Sequence, residues 1–125
     1  MTDPGGVPGR WVVLVQRSDA ASLYEVAAMT ASATALGVEV FLVWFGQALD
    51  AFASGQLDEP SPTGASAAAL LAEARESGRL RHLACSASAV SSRSGPDGVR
   101  ARVDDLVGWP TVVSLMRAAE RAFVW

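Results

Sequence analysis

Two unbroken apolar runs, WVVLVQ at 11–16 and VEVFLVWF at 38–45, constrain this chain more than any other feature of it. A strand wetted on one face alternates apolar and polar residues. A run without that alternation, rich in Val, Leu and Phe, fits a strand covered on both faces, as in a parallel sheet. Parallel neighbours need a crossover between them, and the intervening DAASLYEVAAMTASATALG has the pattern of a helix. Leu23, Val26, Ala27, Thr30, Ala33 and Leu36 recur at helical spacing, and Gly37 is a good stop. Ser22 and Glu25 have capping-box spacing, while Ser18 or Asp19 offers an alternative cap.

The rest of the chain repeats this alternation. A short helix is expected over Gln47–Ala53, a loop over GQLDEPSPTG (55–64), and a helix over ASAAALLAEARES (65–77) stopped by Gly78. LRHLAC (80–85) reads as a third strand, SSRSGPDG (91–98) as a loop, and VRARVDDLV (99–107) as a fourth strand interrupted by Asp104 and Asp105. Gly108-Trp109-Pro110 opens a final helix, since proline suits a first turn, and RAFVW (121–125) is a terminal strand. Residues 1–9, rich in Gly and Pro, are expected to be a flexible tail before a single domain at 10–125. Strands alternating with helices define an α/β layer fold with a mostly parallel sheet.

Composition narrows the function. Half of the 125 residues are apolar and 18% are charged, which suggests apolar surface reserved for a partner. The net charge of −3 argues against nucleic-acid binding, which needs clustered Lys and Arg. MTDPGGVPG lacks the apolar core of a signal peptide, and no apolar run reaches membrane-spanning length. One cysteine excludes an internal disulfide framework and a multi-thiolate zinc site, so a reducing cytoplasm is the expected compartment.

In open α/β sheets, sites lie outside the carboxyl ends of the strands. The residues expected there are Arg17-Ser18-Asp19, Phe45-Gly46, Cys85-Ser86 and Gly108-Trp109. Cys85 is the chain's only thiol. If a helical turn begins at Ser86, its free N–H groups favour a thiolate by about 0.3–1 kcal/mol, and Ser86 and Ser88 supply further donors. The competing reading is a small buried packing residue. His82 is the only histidine, but strand alternation puts positions 82 and 85 on opposite faces, which removes it as a base for Cys85. Position 91 is Ser, not the Arg of a phosphatase-type loop, and Arg93 comes two residues late. Arg79, Arg81, Arg93, Arg100 and Arg102 flank the cysteine and are candidates for a basic rim, with scattered surface arginines as the default. Trp109, after Gly108, is the tryptophan best placed to line a pocket. No glycine-rich phosphate loop follows the first strand.

Three segments together resemble the DsrE/DsrF-like family of small sulfur-relay proteins: SDAASLYEVAAMTASATALGVEVFLVWFG after the first strand, HLACSAS, and VDDLVGWPTVVSLMRAAERAFVW. The resemblance spans Trp11 to Trp125. It implies a three-layer α/β/α sandwich with a mostly parallel five-stranded sheet, and an oligomer (dimer, trimer or hexamer). It also implies that Cys85 accepts and passes on persulfide sulfur as a carrier or sulfurtransferase subunit, with sulfur donor and acceptor proteins as partners. Asp19, Gly46, Ser86, Ser88, Arg93 and Trp109 are the expected supporting residues. Such chemistry needs one accessible, ionisable cysteine and no metal or organic cofactor. Some members of that family lack the cysteine and serve as structural partners, so a non-enzymatic oligomeric module with a structural cysteine is the alternative reading.

Overall fold

The structure, a computed structural model, describes residues 7–125. Five strands, β1 (Val7–Val15), β2 (Glu39–Trp44), β3 (Leu80–Cys85), β4 (Asp105–Val107) and β5 (Ala119–Val124), form one sheet. Their order is β4-β3-β2-β1-β5, and every neighbouring pair is parallel. Six helices connect them: α1 (Ala20–Ala35), α2 (Gly46–Ala53), α3 (Ala67–Glu76), α4 (Ser86–Ser91), α5 (Gly95–Arg100) and α6 (Trp109–Ala118). A single 3-10 turn at Gln56–Asp58 lies between α2 and α3.

The strand order decides which face each helix covers. β1 to β4 step across the sheet in one direction, and right-handed crossovers put all their connections on the same face. The return from β4 to β5 runs the other way and falls on the opposite face. The two cores follow this division. Val13, Val15, Val40, Leu42, Trp44, Leu80 and Ala84 pack beneath buried residues of α1 to α5. Val12, Leu14, Phe41, Val43, Phe45, Leu83, Cys85 and Val107 pack beneath Val112, Leu115 and Met116 of α6. One face is therefore thickly covered, whereas the other rests under a single ten-residue helix.

Several boundaries depart from the sequence expectation. β1 begins at Val7 rather than Trp11 and pairs there with Ala119, so residues 7–9 belong to the sheet; positions 1–6 of the expected tail lie outside the described residues. Asp19 caps α1: its carboxylate accepts the Ser22 N–H at 3.0 Å and the Ser22 hydroxyl at 2.8 Å. Ser22 thus lies inside the helix, and the Ser22/Glu25 capping box is not used. The expected loop at 91–98 ends in α5, where Pro96 occupies the first turn. Consequently Val99 and Arg100 are helical, and β4 shrinks to Asp105–Val107. Among the described residues, no helix is long and apolar enough to cross a membrane.

Candidate functional site

Every strand points its carboxyl end at the same edge of the sheet, and the expected site residues gather along that edge. The sheet nevertheless divides them into two groups. Strand alternation sends Cys85 to the thinly covered face, while the connections that carry Gly46, Ser88 and Arg93 pack on the other.

Cys85 is the last residue of β3 and the N-cap of α4. Its Cα pairs with that of Val107, and Trp44 pairs with Ala84, so Phe45, Cys85 and Val107 form a row across three strands. The thiol joins Val12, Leu14, Phe45, Leu83 and Val112 in one apolar cluster, and the residue is only 5% exposed. Its side chain makes no capping hydrogen bond to α4. Of the expected donors, Ser88 Oγ accepts the Gly46 N–H at 3.0 Å, and Ser86 is exposed at the helix start. The helix begins at Ser86 as expected, but the Cys85 side chain takes no hydrogen bond from its amides, and the sulfur's neighbours are hydrocarbon.

Trp109, the first residue of α6, stacks on Phe45 with ring centroids 5.0 Å apart and planes inclined by 27°. Trp109, expected to line a pocket, thus packs its ring on Phe45. Half of Trp109 faces solvent, at 51% exposure.

On the other side of the edge, Gly46 (φ +50°) and Ser88 border an open cavity of about 430 Å³ that also includes Gln47 and Asp50. The positive φ lets the chain turn from β2 into α2 without a side-chain clash, a conformation natural to glycine. Gln47 and Asp50 continue into a polar cavity of about 300 Å³ lined by Ser18 and Arg93. Asp50 accepts the Ser92 hydroxyl at 2.6 Å and the Arg93 N–H at 3.1 Å, which anchors the α4–α5 connection to α2. Asp19 sits beside Ser18 but is committed to its helix, and its hydrogen bonds with Ser22 hold its carboxyl below the usual range. Of the candidate basic rim, Arg93 and Arg102 line separate cavities on the thickly covered side.

His82, which is buried, and Asp104, which is exposed, belong to one polar network that the sequence did not signal. His82 faces away from Cys85, as alternation requires, and lies buried beside Trp44 and Phe52. Trp44 donates its indole N–H to His82 Nδ1 at 3.1 Å. Burial is the main cause holding the imidazole pKa down to about 4; nearby Arg75 lowers it further, and Asp104 opposes them. Asp104 is exposed at the edge of the sheet, just before β4. There it takes two hydrogen bonds from Arg75, at 2.8 and 2.6 Å, and one from the His82 backbone N–H at 2.8 Å. Those bonds lower its pKa, that from Arg75 most strongly. The partners are 29 and 22 residues apart, so no local pattern marks them.

A groove of about 520 Å³ lies between α1 and the 59–63 loop, lined by Leu23, Tyr24, Leu57, Pro60 and Pro62. Among the described residues, no three His, Cys, Asp or Glu side chains stand together as a metal site. Comparison with protein-family models and with curated proteins finds no match to this chain.

Proposed function

We propose that this chain is a non-enzymatic α/β subunit that assembles with copies of itself through the thinly covered face of its sheet, with Cys85 as a packing side chain. The observation that carries this reading is the incomplete burial of α6 and β5. α6 buries only Val112 fully; Leu115 and Met116 are half-buried, and Val113 and Trp109 are 48% and 51% exposed. Beside the helix, β5 turns Ala122 and Val124 to the same face, and Val124 is 66% exposed. Exposed apolar side chains grouped on one face of a small domain are characteristic of an interface. Its rim carries both charge signs: Arg117 and Glu120 border it, and Arg10 pairs with Glu39 on the same face of the sheet. A patch with both signs can meet its own twofold-related copy without net repulsion. Sedimentation velocity over a wide concentration range tests this reading. The wild-type chain is expected to self-associate, and V113E/V124E to stay monomeric with unchanged circular dichroism. A wild-type chain that is monomeric throughout rejects it.

A second reading is favoured by the place of Cys85 at the carboxyl end of β3 and by the resemblance of HLACSAS to the sulfur-relay segment. Here the Cys85 thiolate attacks the outer sulfur of a donor persulfide, Cys–S–SH forms, and the donor departs as a thiolate. A further thiolate then takes the sulfur. The burial of Cys85 weighs against this reading, because transfer needs an approachable sulfur. Alkylation separates the two. A packing cysteine reacts with iodoacetamide slowly in the native chain and rapidly once unfolded. A carrier reacts rapidly in the native chain near neutral pH and gains one sulfur from a sulfane donor, a gain lost in C85S.

A further inference from the structure

The thickly covered face holds a cavity that is independent of Cys85 and of the assembly surface. It is bounded by α3, the end of α2, the 3-10 turn and the end of α5, and its volume is about 360 Å³. That is within the range of small-molecule sites. Phe52, Leu57 and Leu71 provide apolar walls. Its charged lining residues are Arg75, Arg102 and Asp58, and the buried residue at its base is His82.

The protonation of His82 follows from its partner. Nδ1 accepts the Trp44 indole N–H, so in the neutral ring the proton is on Nε2. That Nε2–H has no hydrogen-bond partner among the described residues, although the residue is only 5% exposed. It is not a sealed orphan either: among the described residues, the buried side-chain polar atom lacking both partner and solvent is Thr30 Oγ1, not His82 Nε2. A donor that is unpaired, nearly buried and still reachable opens into the cavity that its ring lines. A buried polar group in that state gains from any acceptor brought to it.

The charges select the acceptor. Arg75 is held by Asp104 through two hydrogen bonds, so its charge is largely balanced. Arg102 has no ion pair among the described residues, including with Asp58, which flanks Gly55 with it. Asp58 is exposed and opposes an anion at the mouth. Around His82 the polar groups lining the cavity are donors, its Nε2–H and the half-exposed Arg75 guanidinium, which disfavour a cation there.

We propose that this cavity binds a small organic anion with an apolar body, a monocarboxylate of about the size of benzoate, whose oxygens accept from His82 and Arg102 while its body lies against Phe52, Leu57 and Leu71. Because the chain has a single histidine, its ring signals are assigned without ambiguity. The test is a long-range 1H–15N correlation spectrum of the full ¹⁵N-labelled chain near neutral pH, titrated with sodium benzoate, benzamide or benzylamine. Benzoate is expected to shift His82 Nε2 saturably, with a dissociation constant of about 1 mM or tighter. Benzamide binds more weakly, and benzylamine leaves the ring unmoved. R102Q, at an exposed position whose loss leaves the core intact, weakens benzoate about tenfold with an unchanged backbone spectrum. Unmoved ring signals with benzoate, equal binding of benzamide, or an unaffected R102Q overturns the assignment.

Discussion

Acid sensitivity above the range of ordinary carboxylates is expected from His82. Its pKa falls from 6.5 to about 4 in the folded chain, with burial as the leading cause. The charged groups around it are Arg75 from α3, Asp104 before β4, and Arg102 and Asp58 across the adjoining cavity. The unfolded chain therefore binds a proton that the folded chain refuses. Stability from this group is fully present above about pH 6.5 and is lost as pH falls toward 4. Linkage through one histidine with these two values gives a loss of about 2 kcal/mol between pH 7 and pH 5, approaching about 3 kcal/mol by pH 4. The depressed carboxyls of Asp19 and Asp104 act in the same direction only at lower pH, so the upper window isolates the histidine. The assay is urea unfolding at both ends of that window, for wild type and for H82N, which keeps an acceptor for Trp44 but cannot titrate. Wild type should lose about 2 kcal/mol more than the variant. In parallel, the ring protons of the only histidine should titrate near pH 4. A midpoint at 6 or above, or equal losses in the two proteins, would refute the reasoning.

D104A should cost about 1 kcal/mol in denaturant unfolding, because it removes the acceptor for the His82 N–H, while the exposed Arg75 is re-solvated; a value near zero would show that this acceptor contributes nothing. S66A removes the side-chain cap that accepts the Ala69 N–H at 3.0 Å and should cost about 1 kcal/mol by the same measurement. L42A, at a fully buried position in the central strand, should cost about 2–5 kcal/mol and lower the thermal midpoint accordingly. G46A places a methyl group at φ +50° and should cost about 1–2 kcal/mol even though nothing crowds the added carbon.

The amino-acid order alone determined the layer architecture. Runs such as WVVLV and VFLVW admit only a strand buried on both faces, and the helical spacing between them admits only a crossover, so the parallel sheet followed from local chemistry. Alternation along LRHLAC likewise separated His82 from Cys85 correctly, because strand side chains obey a period of two. What local pattern could not reach was anything fixed by packing between distant segments. Whether Cys85 meets amides or hydrocarbon depended on which face α6 covers, and that followed from the strand order. The bonding of Asp104 to Arg75 and to the His82 backbone joins residues far apart in the chain, and GPDG, with its turn composition, became helical once Val99 found a buried place. Tertiary structure decided these because burial and pairing depend on proximity in space, which neighbouring residues do not encode.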